Sequence, residues 1–296
     1  MDTSLQTELC VYTWGTNSYW QLGQGHVEDL SVPRPADGAL HMGPLRQLTG
    51  GGGHSAVLSE KGELLVCGHN HRGQLGLGHS LEVTTFQLCP LIGQRVAHVS
   101  CGWDFTLVLT DHGQVLTCGS NAYGQLGVSE PIPHSMVLLP IHSVKEPVIR
   151  VAAGLRHSLT VTGSVYQWGM GLSGHAKRAL SPQPVPAHFT SKTPCLVPGL
   201  EQVMSHRVAA GSAHCRPLPS SPHLSPPGGR LLSWGWNEHG MCGDGSETDV
   251  SQPQPIPALR PLVIGCGAGH SMALCAVRTG EEKSTEDMEI EQATLV

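Results

Sequence analysis

Hydrophobic and polar residues alternate in short runs along the chain, and glycine-containing turns separate the runs. Residues 55–58 and 64–66 are two such runs, and they flank a polar turn at residues 60–62. The same arrangement recurs over residues 106–117. A glycine in a short connection supplies the positive φ angle that a tight hairpin needs. The pattern therefore predicts antiparallel hairpins, and the longer period of an amphipathic helix does not recur.

Two phrases recur at a spacing of about 50 residues. The first places an asparagine after Trp-Gly or Cys-Gly, and it holds all four asparagines of the chain: Asn17, Asn70, Asn121 and Asn237. The second is Gly-x-x-His, with the histidines His54, His157, His214 and His270, and Phe105 stands in the corresponding position of a further copy. Repetition at this period, without long helical patterns, is typical of a β-propeller whose units each supply one blade.

The first phrase or a degenerate copy of it occurs five times, which gives about five units. The copies start at Trp14, Cys67, Cys118, Trp168 and Trp234. The last interval, 66 residues, is the longest, and it contains residues 215–229 with five prolines. Proline lacks the amide donor of a ladder, so we expect no ladder strand after His214. This stretch is interpreted either as an irregular loop or as a seam where about two units have been lost.

The two ends of the repeat region supply complementary halves of one blade. A strand at residues 9–13 precedes the first phrase, and the strand at residues 270–275 has no hairpin partner after it. Pairing them would close the ring and remove two free sheet edges. We therefore predict an all-β fold over residues 1–277, a β-propeller of four-stranded antiparallel blades closed by the N- and C-terminal strands. Residues 278–296 contain six acidic and two basic residues and are predicted to be a disordered tail.

The two phrases, recurring in fixed order over residues 9–277, resemble the repeat of the regulator of chromosome condensation family. The resemblance implies a seven-bladed propeller for the family, so five units would be a shortened form. Residues 50–57, 101–106 and 234–245 look most similar to a member that regulates secretion through guanine nucleotide exchange. The function implied is exchange-factor-like regulation of a small GTPase in secretion. The alternatives are a non-catalytic scaffold for secretory components such as the exocyst, and a shortened isoform without exchange activity.

The same resemblance points to the loops inside Gly-x-x-His. In the exchange-active relative, acidic side chains of these loops help to displace nucleotide, and the loops gather on one face of the ring. Here Asp104 resembles the acidic position, Trp103 is a candidate exposed anchor, and Arg156 could pair with an acidic partner. A second interpretation stays open, in which Trp103 packs between blades and Asp104 caps its hairpin.

The repeated histidines favour a structural role. One histidine occupies the same position in most units, and Phe105 replaces it once, although a phenyl ring cannot bind a metal. We therefore expect these histidines to bond the backbone at blade junctions. No Cys-x-x-Cys pair and no phosphate-binding loop occurs in the sequence, so we expect no metal, no cofactor and no covalent active site. The cysteines are predicted to be reduced core residues.

Charge and hydropathy limit the classes of binding partner and the cellular locations that we expect for this protein. The formal net charge is −6, which argues against binding to DNA. The first residues carry no basic and apolar leader, and no apolar run approaches the roughly 20 residues of a membrane span. We expect no membrane insertion and a cytoplasmic location, with the nucleus as a second compartment. The final residues, Thr294-Leu295-Val296, match a PDZ ligand only weakly, because three-residue matches arise often by chance.

Overall fold

The protein consists of short antiparallel strands joined by turns. The computed structural model describes residues 11–36, 44–91, 93–169, 186–200, 205–210, 214–219, 231–235, 237, 242, 244–256, 261–266 and 271–275. These residues form twenty strands and one helix, the four-residue α1 (Ala187–Thr190). The predicted all-β class is therefore confirmed. Within this part of the chain, no helix has the length and hydropathy needed to cross a bilayer.

The strands form four four-stranded and two two-stranded sheets, each built from strands consecutive in the chain. The first complete sheet contains β3 (Leu45–Gly50), β4 (His54–Ser59), β5 (Leu64–Gly68) and β6 (Val83–Leu88). The second contains β7 (Val96–Cys101), β8 (Phe105–Thr110), β9 (Val115–Ser120) and β10 (His134–Pro140). The third contains β11 (Arg150–Ala153), β12 (His157–Val161), β13 (Val165–Gly169) and β14 (Cys195–Leu196). The fourth contains β15 (Ser205–Ala210), β16 (His214–Pro219), β17 (Leu231–Gly235) and β18 (Val250–Ile256).

Successive sheets pack face to face, mainly through their first strands. Strand β3 contacts β7, β7 contacts β11, and β11 contacts β15. Strand β8 is buried along its whole length because its sheet has a neighbour on each face. The interface between the first two complete sheets includes Val57, Val66, Val99 and Val108, all fully or almost fully buried. Hydrophobic burial between sheets is therefore what joins the units, as expected for a repeat array.

The chain ends form two separate half-sheets. β1 (Tyr12–Gly15) pairs with β2 (Leu30–Pro35), and β19 (Pro261–Cys266) pairs with β20 (Ser271–Cys275). Among the described residues, no ladder joins β1 to β20. Closure of the ring by these strands therefore stays a prediction. The acidic tail predicted at residues 278–296 lies outside the described residues.

The presence of strand β16 shows that the prediction of no ladder strand after His214 was wrong. Residues 214–219 pair with β15 from Ala210↔Cys215 to Ser205↔Pro219, although the sequence predicted no strand there. The ladder with β17 contains only His214↔Gly235 and Cys215↔Trp234, so it ends before Pro217. A proline is tolerated where its missing donor is not needed by a neighbouring strand. The prediction was wrong because it treated β16 as a strand that must be paired fully on both sides.

A candidate protein-interaction face

In the four units that contain them, the asparagines hold the loop that follows the third strand of a complete sheet, or its equivalent β1. The side-chain Oδ1 of Asn70 accepts a hydrogen bond from the amide of Leu75 at 3.0 Å. Its Nδ2 donates to the carbonyls of His79 and Leu81, at 2.8 and 2.9 Å. Asn17 and Asn237 repeat all three bonds, and Asn121 repeats two. One amide thus satisfies several backbone groups, which explains why this position needs asparagine.

A second set of hydrogen bonds ties each loop to the next sheet. The carbonyl of Gln74 accepts from the hydroxyl of Thr106 at 2.7 Å and the thiol of Cys118 at 3.4 Å. The carbonyl of Gln125 accepts from the hydroxyl of Ser158 at 2.7 Å and from the indole of Trp168 at 2.8 Å. Cysteine and tryptophan can replace each other in this position because each donates to the equivalent backbone carbonyl of the preceding loop.

The Gly-x-x-His histidines were predicted to bond the backbone. His54 is buried, and its Nε2 lies 2.9 Å from the hydroxyl oxygen of Thr106 in the next sheet, so its partner is a side chain. A Cβ on Gly51 would lie 2.4 Å from the His54 ring, which explains the glycine of the phrase. His157 is also fully buried. The backbone of His214 lies at the start of β16, and His270 lies outside the described residues.

The loops of both phrases project from the same end of each sheet. His54 begins β4 and pairs with Gly68 at the end of β5. The Gly-x-x-His loop and the asparagine loop are therefore adjacent at this end of the sheet. We call the surface formed by these loops the loop face.

Trp103 is an exposed aromatic residue of the loop face. Its side chain is 58% exposed, and one side of the indole covers Gly52 of the preceding unit. A Cβ on Gly52 would lie 2.7 Å from the indole, and the amide of Gly52 donates to the carbonyl of Trp103 at 3.0 Å. Asp104 is half-buried, with Oδ1 3.5 Å from the side-chain nitrogen of Gln125. Trp103 is thus held in place by backbone contacts while most of its surface faces solvent.

Beside Trp103, three rings stack across two units. The ring centroids of Tyr19 and His69 are 4.4 Å apart, and those of His69 and His71 are 4.0 Å apart. Burial lowers the pKa of both histidines, while the carboxylates of Glu82 and Asp104 oppose this effect. The sequence analysis did not identify these rings. Tyr19 and His71 lie in the variable positions after the phrase asparagines, and that position was the available signal.

Arg156 continues the surface into the third complete sheet. Its guanidinium lies over the ring of Tyr123, 4.5 Å from the centroid, a cation–π arrangement. We name as the loop-face ridge the following residues: Tyr19, His69, His71, Trp103, Asp104, Tyr123 and Arg156. The structure thus brings together the three predicted residues Trp103, Asp104 and Arg156 on one face. The corresponding loop positions 212–213 and 268–269 lie outside the described residues.

The chemistry of the ridge suits recognition of a protein. Aromatic residues and arginine supply much of the binding energy at protein interfaces. Within the described part of the chain, no group of three or more His, Cys, Asp or Glu side chains is placed to hold a metal ion. A groove beside β10, lined in part by Ile132, Met136 and Val137, includes none of the predicted residues Trp103, Asp104 and Arg156. The ridge is therefore the better candidate site.

The comparisons with known proteins decide the family. The model of the RCC1-like domain matches residues 10–278. The chain belongs to this family. It is 35% identical to the bovine secretion-regulating guanine nucleotide exchange factor over 391 residues, covering 92% of this chain and 84% of that protein. The aligned region is longer than this chain of 296 residues, so it includes sequence of the relative that has no counterpart here.

Solved structures agree with the fold. Human WBSCR16 has a TM-score of 0.76 at 24% identity, covering 91% of this chain and 69% of that chain. Prp20p from Saccharomyces cerevisiae, described with its binding to Gsp1p and histones, has a TM-score of 0.70 at 23% identity. The match to Prp20p covers 92% of this chain and 65% of that chain. This chain therefore superposes on roughly two thirds of longer relatives.

Proposed function

We propose that the chain is a guanine nucleotide exchange factor-like regulator of a small GTPase, acting in the control of protein secretion through its loop-face ridge. The main observation behind this proposal is that Trp103 and Asp104 of one unit and Arg156 of the next lie on one face, with partly exposed aromatic rings beside them. The name of the bovine relative supports exchange activity and secretion. Prp20p, which is described as binding Gsp1p, supports a GTPase as the partner.

The proposed mechanism needs no covalent step. The ridge binds the GTPase and stabilises its nucleotide-free conformation more than its GDP-bound conformation. A ligand shifts an equilibrium only by its difference in affinity for the two states. Trp103 is the anchor, because its indole is already fixed against Gly52 and loses little conformational freedom on binding. Asp104 and Arg156 supply charges of opposite sign on the same face as this anchor, which would orient the partner.

The test is GDP release from a panel of purified small GTPases loaded with fluorescent GDP. We expect acceleration by the wild-type chain with at least one GTPase, and a loss of about tenfold or more in Trp103→Ala, as for a hot-spot residue. Asp104→Ala tests the acidic position separately. Leu88→Ala is the matched control, because Leu88 is 57% exposed on β6, away from the ridge.

The alternatives give different results in the same assay. Stoichiometric binding that requires Trp103 but does not accelerate release would support a scaffold, and exocyst subunits would then be tested as partners. Absence of binding to every GTPase would overturn the proposal and favour a shortened isoform without exchange activity. A cytoplasmic or nuclear location remains a prediction, to be checked by microscopy of the tagged full chain.

We also infer that about two units are absent between β16 and β17, relative to longer relatives. The β16–β17 ladder has two residue pairs, whereas the equivalent β4–β5 ladder has five. The bovine alignment is longer than this chain by roughly two repeat periods. Genomic sequence between the codons for Pro219 and Leu231 tests this inference. Two further copies of both phrases would support it, and uninterrupted coding sequence would contradict it.

A further inference from the structure

One pair of loop positions comes together at two boundaries between units. The first position is two residues after the phrase asparagine, and the second precedes the histidine of Gly-x-x-His in the next unit. At one boundary these are Tyr123 and Arg156, and the guanidinium lies 4.5 Å from the ring centroid. At an earlier boundary they are Tyr19 and Gly53, and a Cβ on Gly53 would lie 3.1 Å from the Tyr19 ring. The repeat therefore brings the same two positions into contact in both places.

The boundary at Gly53 has the aromatic ring, but residue 53 supplies no cation. Glycine carries no side chain, so nothing from this position covers the ring. The two loops are otherwise built alike. The amide of Tyr19 donates to the side chain of Gln21 at 2.8 Å, and the amide of Tyr123 donates to the side chain of Gln125 at 2.8 Å. The two boundaries therefore differ in what lies against a similarly held tyrosine.

Two histidines extend the aromatic surface at the earlier boundary. His69 lies against Tyr19 and His71 lies against His69, with ring centroids 4.4 and 4.0 Å apart. We call these three rings the stack. Tyr19 and His71, at its two ends, are exposed. Burial lowers the pKa of both histidines, so both imidazoles are predominantly neutral at pH 7.5 and offer aromatic faces to a planar cation.

Two carboxylates lie beside the stack. Glu82 is exposed, and its Oε1 lies 3.9 Å from Nε2 of His69. The carboxylates of Glu82 and Asp104 both oppose the effect of burial on the pKa of the two histidines, which shows that negative charge lies near both rings. The guanidinium of Arg72 acts on His71 in the opposite direction. Two carboxylates and one guanidinium around neutral rings give a net negative charge, which attracts a cation.

We propose that the stack binds an arginine side chain of the protein partner, whose guanidinium lies against the rings and donates to Glu82. The same pairing of ring and guanidinium exists within the chain, where Arg156 lies over Tyr123. Arginine suits the site better than lysine, because its planar group both stacks on aromatic rings and pairs with a carboxylate through two donors. The partner is the small GTPase of the proposed function, so its identity rests on that function, whereas the chemistry of the stack does not.

Binding of a small probe tests the proposal without any GTPase. N-acetylarginine methylamide is titrated into the full chain at pH 7.5, and the ring-proton shifts of the stack are followed by NMR. We expect a saturable shift. The citrulline analogue has nearly the same shape without the charge, and it should bind about tenfold more weakly. Absence of a saturable shift, or an equal response to the citrulline or lysine analogue, would overturn the proposal.

Two carboxylate variants locate the bound probe. Glu82→Gln removes the carboxylate beside His69 and should weaken probe binding by about threefold, as for an exposed ion pair. Glu60→Gln is the matched control, because Glu60 is exposed in the turn after β4, at the opposite end of the sheet from the loop face. It should bind the probe as the wild type does. Equal affinity in the two variants would show that the probe binds elsewhere and would overturn the proposal.

Gly53→Arg places a guanidinium within the chain at the position equivalent to Arg156. It should cover the stack and abolish the saturable shift, whereas Gly53→Ala adds only a Cβ and should retain it. Retained probe binding in a folded Gly53→Arg chain would overturn the proposal. The two levels can fail separately. If GDP release is accelerated but the probe does not bind, the stack assignment fails alone. If the probe binds but no GTPase does, the proposed function fails and the arginine site stands.

Discussion

The imidazole Nε2 of His54 and the hydroxyl oxygen of Thr106 are 2.9 Å apart, across the boundary between two successive sheets. The hydroxyl donates its single proton to the carbonyl of Gln74, so it must accept from His54. His54 therefore carries a proton on Nε2. Its Nδ1 is buried and has no hydrogen-bond partner. A second proton there would be buried without an acceptor, and burial lowers the pKa of His54 to about 4.

In mild acid the free energy of unfolding should fall less in His54→Phe than in the wild type. The unfolded state takes up a proton near pH 6.5, whereas the folded state takes it up only near pH 4. Between these values the free energy of unfolding falls by about 1.4 kcal/mol per pH unit for this residue. The contribution of the neutral His54 side chain to stability is fully present above pH 6.5 and is lost as the pH falls toward 4. Phenylalanine is a suitable replacement because Phe105 fills the same position in the next unit.

Urea unfolding at pH 7.0 and 5.0 measures this effect. The difference in unfolding free energy between the two pH values should be smaller in His54→Phe than in the wild type. Burial also lowers the pKa of His98 and His188 to about 4, so part of the acid sensitivity should remain. His112→Gln, at an exposed position, is the control and should follow the wild type. Equal slopes in all three proteins would contradict the assignment.

We expect Asn70→Ala to destabilise the protein strongly. The change leaves the amide of Leu75 and the carbonyls of His79 and Leu81 without their partner. A buried polar group left unsatisfied costs about 1–3 kcal/mol, which applies to the amide of the buried Leu75. The carbonyls of the half-buried His79 and the exposed Leu81 can bond water instead, so a total of about 2–3 kcal/mol is expected. Asn121→Ala is the comparison, because Asn121 makes two of the three bonds and is half-buried. Denaturant unfolding should rank Asn70→Ala as the more destabilising, and the reverse order would count against the proposed role.

The sequence predicted the strands because the interactions that define each unit are local. The bonds of Asn70 all reach residues at most eleven positions away, so the phrase and its structure repeat together. The ridge was predicted only in part. The stacking of Tyr19 on His69 joins residues 50 positions apart and depends on how two sheets pack. Repeat spacing identified the loops that meet, but it could not show which side chains touch across them.

Two equivalent tryptophans should respond differently to truncation. Trp168 is fully buried and donates to the carbonyl of Gln125, so Trp168→Ala should cost about 3–5 kcal/mol. Trp14 is 58% exposed, and Trp14→Ala should change stability by only about 0.5 kcal/mol in dilute solution. Denaturant unfolding at low protein concentration measures both. A large cost at Trp14 under these conditions would show that β1 is already covered within one chain.

Four buried thiols of the first two complete sheets should be chemically inert. Burial raises the pKa of Cys89 and Cys101 to about 12, and it raises the pKa of Cys67 and Cys118 well above the ordinary value. The thiolate is the reactive form, so at pH 8 a thiol of pKa 12 is ionised in only about one molecule in ten thousand. Alkylation of the native protein, followed by peptide mapping, should therefore label the partly exposed Cys195 and spare these four. Labelling after denaturation is the control. If any of the four reacts as fast as Cys195 in the native protein, the packing between these sheets is looser than the structure shows.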